Sequence, residues 1–206
     1  MARYTGPRNR LARREGVDLG LKTVGSNAHA QLLKRLKIIP GQHGQKGRRK
    51  SSEFALQLRE KQKVKHIYGI LEKQFKKYFD QATKKVGNTG EALLQILERR
   101  LDNVVYRLNL SPTRAFARQI VSHGHVMVDG HKVNIPSFQV NKDQVISIKS
   151  KILETPVLKN LLDTKDLILP DWLERKGPVG KVRQIPKRED IKEVINEQLI
   201  IEFYSR

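Results

Sequence analysis

Ser111–Asn134 reads SPTRAFARQIVSHGHVMVDGHKVN, and this stretch decides the fold. Ser111 is a helix N-cap type, and Pro112 suits the first helical position, which needs no backbone N–H. Phe116, Ala117 and Ile120 then form one apolar face, with Arg114, Arg118 and Ser122 as a polar stripe at i, i+4, i+8. Gly124 ends the helix. His125–Val128 and His131–Asn134 alternate in polarity and are joined by Asp129-Gly130, a strong two-residue hairpin signal. That turn pairs Val126 with Val133 and Val128 with His131 on one face, and sends Met127 and Lys132 to the other. A helix bearing paired arginines beside a hairpin bearing a lysine makes a concave basic edge suited to phosphates of folded RNA.

Charge points the same way. The 206 residues hold 41 Lys and Arg against 21 Asp and Glu, a net charge of +20. The excess forms a gradient: net +11 over 1–50, +5 over 51–90, +4 over 91–151 and zero over 152–206. Such self-repulsion is costly unless a polyanion neutralises it, and a strongly basic chain of this kind is a nucleic-acid footprint. Cysteine is absent, which excludes disulfides and cysteine-ligated zinc. No apolar h-region follows the basic MARYTGPRNR start, and no run approaches membrane-spanning length, so neither secretion nor a membrane partner is expected.

Around the opening motif, periodicity predicts an organised chain. The first 50 residues read as a basic extension with a short helix over Leu32–Ile39 in HAQLLKRLKII, then a glycine-rich loop, PGQHGQKGRRK, that orders against RNA. Ser51 or Ser52 opens a helical region running to Lys85, with a break or a polar patch near Lys61–Lys65. Thr89 caps a second helix, Glu91–Leu108. Ser137–Val140 and Gln144–Ile148 read as strands, Pro156–Asp166 as a short helix, and Leu167–Pro186 as loop. Glu189–Arg206 ends the chain, with a helix favoured over a strand around Ile195–Phe203. No internal repeat is visible.

Ser111–Asn134 resembles the small RNA-binding module named after ribosomal protein S-four, in its helix arginines, terminal glycine and Val-Asp-Gly turn. The resemblance extends along the chain, through MARYTGPRNRLARREG, PGQHGQKGRRKSSEFALQLREKQKVKHIYGILEKQF, ERRLDNVVYRLNLSPTRAFARQIVSHGHVMVDGHKVNIPS, LPDWLE and INEQLIIEFYSR. In this order these stretches are similar to the bacterial-type small-subunit ribosomal protein S-four family. The resemblance implies an α+β fold. It has a basic extended N-terminal region (1–50) and a helical domain (51–90, completed by 186–206). Inserted at 91–185 is an S-four-type RNA-binding domain of helices packed on a small, mostly antiparallel sheet, with a trailing loop. It also implies a non-enzymatic, cytoplasmic structural protein of the ribosome that binds small-subunit rRNA and nucleates assembly. Its neighbours would be ribosomal proteins S-five and S-three, with messenger RNA nearby where it enters the subunit, and it would contribute to translational accuracy. No cofactor and no small-molecule substrate are implied.

The RNA-contacting set expected on this basis is Arg3, Tyr4, Arg8, Arg10, Arg13 and Arg14 near the start. His43, Lys46, Arg48, Arg49 and Lys50 follow in the loop, and Arg59 and Lys63 in the helical region. Arg99, Arg100, Thr113, Arg114, Arg118, Gln119, Ser122, His123 and Lys132 belong to the module. Many relatives hold zinc with four cysteines near the N-terminus; here Asn9 and Ala12 stand at the first two of those positions, so no metal is expected.

Other chemistries fit less well. Arg100-Leu101-Asp102 resembles the Arg-Leu-Asp of pseudouridine synthases, but it continues into a helical pattern and lacks a visible pocket partner. Gly41, Gly44 and Gly47 beside Lys46 do not satisfy the phosphate-loop spacing. His125 and His131 fall on opposite hairpin faces, against a metal site. The rival readings are an RNA-modifying enzyme and a free RNA chaperone that use the same module.

Overall fold

The computed structural model describes residues 3–47, 50–163 and 169–205. The chain forms two units, one built from Met1–Gly90 with Val194–Arg206 and the other from Glu91–Glu193.

In the first unit the N-terminal region is helical rather than extended. Helix α1 (Arg8–Glu15) ends at Gly16, whose left-handed φ of 76° lets its N–H reach the Ala12 carbonyl. Helix α2 (Asn27–Lys34) starts at Ser26, whose Oγ accepts from the His29 N–H, so it begins and ends earlier than the expected Leu32–Ile39. Ala12, Leu19 and Leu32 are buried; these few apolar residues among many cations suffice to pack the segment. Helix α3 (Glu53–Ile67) takes Ser52 as its cap, and Gly69 at φ 62° separates it from α4 (Glu72–Thr83). Of the break or polar patch expected near Lys61–Lys65, the break is absent, since α3 runs through it. Lys61 is 4% exposed, yet its Nζ meets Glu72 Oε1 at 2.7 Å and lies 4.3 Å from the Phe203 ring centre. A lysine stem with a paired head can thus occupy an apolar face. Near the chain end, α10 (Glu197–Tyr204) packs on α3, confirming helix over strand. The Tyr204 ring stacks on Phe79 at 4.5 Å, and its hydroxyl donates to Glu72.

In the second unit the expected Glu91–Leu108 helix is two helices, α5 (Thr89–Glu98) and α6 (Leu101–Arg107). Arg100 is extended between them, because residues 138–140 capture the backbone there. The N–H of Val140 donates to the Arg99 carbonyl at 2.9 Å, and that of Leu101 to the Phe138 carbonyl at 2.9 Å. Ser137–Val140 is therefore no sheet strand; it makes one isolated bridge, Arg100 to Gln139. Helix α7 (Arg114–Ser122) is capped by Thr113, not Ser111: Thr113 Oγ1 accepts from the Phe116 N–H at 3.2 Å. Ser111 is buried, and its hydroxyl donates to the Thr113 carbonyl.

The sheet runs β2-β1-β3-β5-β4, antiparallel throughout. Strands β1 (Val126–Val128) and β2 (His131–Val133) pair in the expected register across Asp129 and Gly130, both at positive φ. Strand β3 is Val145–Ile148. The Leu167–Pro186 segment holds a hairpin where loop was expected, β4 (Leu173–Lys176) and β5 (Val179–Val182), turning at Gly177. Helices α8 (Ser150–Leu153) and α9 (Pro156–Asp163) lie between β3 and β4 in sequence; residues 164–166 of the expected helix lie outside the described residues. Leu101, Val104, Leu108, Ala117, Ile120, Val126, Ile146 and Trp172 share one core. Gly180 admits Leu108 so closely that a Cβ there would fall 2.4 Å from its Cδ1.

Candidate RNA interface

The α6–α7 pair carries most of the expected module residues, and it divides them into two groups. The first group lies inside. Arg100 is 1% exposed and donates from Nε (3.1 Å) and Nη2 (2.6 Å) to the Asp102 carboxylate. Arg118 approaches the same carboxylate at 3.4 Å. Arg114, 8% exposed, donates from Nε to Asn103 Oδ1 at 2.8 Å and from Nη2 to Glu193 at 2.6 Å, with its guanidinium 4.5 Å from the Tyr106 ring centre. Arg107 forks onto Glu98 and also reaches Glu193 at 2.6 Å. Asn103 closes the network by donating Nδ2 to Glu98.

Burial by itself would push the Glu193 carboxyl up, but Arg114 and Arg107 overcome it and hold its pKa at about 2. Arg114 and Arg118 therefore do not form a solvent-facing stripe. Helical spacing places them on one side of α7, but their counter-charges come from Asp102 and from Glu193, far from the i±4 positions. Asp102, the residue resembling a synthase aspartate, is buried and engaged by Arg100 and Arg118. Thr113 serves as a cap. Arg99 holds the α5–α6 break, donating to the Val140 carbonyl at 2.9 Å and to the Asn141 side chain.

The second group faces solvent. Gln119, Ser122, His123 and Lys132 are exposed along the end of α7 and the neighbouring hairpin. Half-buried His125 and Lys149 and exposed Lys151 join them, three residues that were absent from the expected set. The signal available was the pair of lysines just beyond β3; the chain separation between them and the hairpin hides the juxtaposition. Among the described residues, none of Lys132, Lys149 and Lys151 forms an ion pair.

In the first unit, Arg3, Tyr4, Arg10, Arg14, His43, Lys46 and Lys50 are exposed, and Arg8 is half-buried. Arg13 is turned inward, donating from Nε to the Ile38 carbonyl at 2.9 Å. Arg59 lies 3.6 Å from the buried Glu15 carboxylate. Lys63 is bound to Glu60 at 2.6 Å and to the Val194 carbonyl at 2.8 Å. These three cations are thus engaged within the unit. Lys34, Arg35 and Lys37, also exposed, were absent from the expected set. Arg48 and Arg49 lie outside the described residues.

The residues at the relatives' metal positions do not fit zinc. Ala12 offers no donor and is fully buried, and the Asn9 amide donates to the Ala28 carbonyl at 3.0 Å, tying α1 to α2. His29 is paired with Asp18 at 2.8 Å.

Comparison with known proteins agrees with this architecture. Residues 3–98 match the family described as Ribosomal protein S4/S9 N-terminal domain, and residues 99–146 match the S4 domain. The chain is 52% identical to the small ribosomal subunit protein uS4 of Halothermothrix orenii. It is 50% identical to that of Herpetosiphon aurantiacus and 49% to that of Parabacteroides distasonis. Each match covers 100% of both chains. With both domain families matched in order and relatives aligned from end to end, the chain belongs to the small ribosomal subunit protein uS4 family.

Proposed function

We propose that this protein binds small-subunit ribosomal RNA early and nucleates subunit assembly. In this reading it lies beside ribosomal proteins S-five and S-three, near where messenger RNA enters, and contributes to translational accuracy. The family supplies the coarser statement: the chain is a structural, non-enzymatic protein of the small ribosomal subunit, carries RNA-binding domains, and works in the cytoplasmic ribosome. The single observation that carries the finer reading is how the charge is divided. In the second unit the buried guanidiniums are matched by Glu98, Asp102 and Glu193, whereas Lys132, Lys149 and Lys151 are left for an outside anion. Exposed cations then hold phosphates, and the interior network keeps the shape that selects an RNA fold rather than a base sequence. In the first unit the phosphate contacts fall to exposed Arg3, Arg10, Lys46 and Lys50, with Tyr4 and His43 beside them.

The test is reconstitution of the small subunit with and without this chain, followed by sedimentation at high salt. The chain is expected to load onto naked rRNA without other proteins and to be required for later ones. Normal subunits assembled in its absence would overturn the reading.

A further inference from the structure

We infer that the turn at Gly124 is a proton-coupled phosphate site, in which His123, His125, Lys132, Lys149 and Lys151 hold an RNA phosphate and the His125 imidazole takes up a proton on binding. This rests on the RNA reading above and adds a regulation to it.

Three separate segments converge there. Gly124, at φ 70°, turns the chain sharply between α7 and β1. The rings of His123 and His125 are thereby brought to 6.2 Å, edge to face. From β2, the Lys132 side chain lies across the glycine, so closely that a Cβ on Gly124 would be 2.2 Å from its Cε and 3.1 Å from its Nζ. From the end of β3, the Lys149 N–H donates to the His125 carbonyl at 2.9 Å, and Lys151 follows in α8. The side-chain cluster is built by the fold, since its members come from the α7–β1 turn, β2 and the β3–α8 segment.

Its electrostatics are one-sided. The charged groups that bear on His125 are His123 from the end of α7, just past Ser122, Lys132 from β2, and Lys149 and Lys151 from the β3–α8 segment, every one a cation or potential cation. Burial, then these neighbours, push the His125 pKa below its ordinary value. At neutral pH the free protein therefore holds this imidazole uncharged. A bound phosphate reverses the balance, because the single negative charge of an RNA phosphodiester within a few ångströms favours the protonated ring. By linkage, a ligand that raises a pKa binds more tightly where the group is protonated. The imidazole contribution is then fully present at pH below the free-state pKa and is lost as pH rises through the bound-state pKa. A rise in the His125 pKa on binding strengthens binding on the acid side, about tenfold for each unit of the rise.

The experiment uses the full chain and isolated small-subunit rRNA at fixed ionic strength. Affinity is measured from about pH 5.5 to about pH 8, and calorimetry in two buffers of different ionisation enthalpy counts protons. The unmodified chain is expected to bind about tenfold tighter at the acid end, with net proton uptake across that range. His123→Gln/His125→Gln should lose both the slope and the uptake. His131→Gln, on the far side of the hairpin turn, should keep them. An NMR titration of the unmodified chain should show the His125 pKa rising when RNA binds, whatever the variants do. Equal slopes in parent and double variant, or RNA binding with no proton uptake, would overturn this inference and leave the RNA reading standing. No rRNA binding at any pH would overturn the RNA reading itself.

Discussion

Replacing Glu193 with glutamine keeps the side-chain shape and removes one charge from the interior network. In the native protein Arg114 and Arg107 each donate to this carboxylate at 2.6 Å. Burial opposes ionisation there, yet the two guanidiniums lower the pKa from 4.5 to about 2. That gap corresponds to about 3 kcal/mol of folding stability, at about 1.4 kcal/mol per pH unit. A depressed carboxylate pKa gives stability that is present above the unfolded value near 4.5 and lost as pH falls toward 2. The Glu193→Gln variant forfeits this stability at neutral pH and deprives two buried guanidiniums of a carboxylate, a known route to large losses. For a unit of about 100 residues, the melting temperature should fall by on the order of 10 °C at neutral pH. Thermal melts followed by circular dichroism, repeated from neutral pH down to about pH 2, provide the assay. The parent should lose stability steeply below pH 4.5, and Glu193→Gln should lose less over the same range. Glu189→Gln, at an exposed position on the same return segment, is the control and should melt like the parent. A Glu193→Gln protein that melts within about 2 °C of the parent, with an unchanged acid profile, would refute the reasoning.

Arg114→Ala and Lys132→Ala should separate cleanly. The first should cost roughly 1–3 kcal/mol of stability by removing one of the two guanidiniums that hold Glu193, while the second should leave melting unchanged and weaken RNA binding in a filter assay. Equal melting of Arg114→Ala and the parent would return Arg114 to the surface. Affinity for small-subunit rRNA should fall by on the order of a thousandfold or more between about 50 and 200 mM salt if about 6–10 phosphates are engaged; a flat salt titration would contradict the phosphate reading. Purified protein should hold no stoichiometric zinc, and a chelator should leave its melting curve in place; elemental analysis finding one zinc per chain would show that Asn9 and Ala12 had misled.

Local chemistry made the β1–β2 hairpin legible: Asp129-Gly130 fixes the turn, and period-2 alternation fixes which valines face inward. The helices were legible wherever apolar spacing ran unbroken. What stayed hidden depended on partners distant in sequence. The α5–α6 break is imposed by hydrogen bonds from residues 138–140, which no periodicity in 91–108 encodes. The β4–β5 hairpin is short, charged and rich in Gly and Pro, so its alternation is faint. The same holds for the interface. Exposed Lys132 and His123 could be read from the motif, whereas the burial of Arg114 could not, because its neutralising group, Glu193, lies 79 residues away. Helical spacing fixes a direction around α7 and leaves open what waits there.

The first unit is closed by a helix that is synthesised after the whole of the second. Gln57 reaches Glu202 across 145 residues, and Tyr204 reaches Glu72 across 132. At elongation rates of roughly 5–20 residues per second, α3 and α4 wait on the order of 10 s for α10. During that interval Phe75, Phe79 and the stem of Lys61 lack the cover that α10 gives them. A chain that stops short of α10 therefore displays an aromatic surface that the finished protein conceals. Chaperones and proteases read such surfaces, so the late helix makes the completeness of each molecule visible to the cell before it is offered to a growing particle.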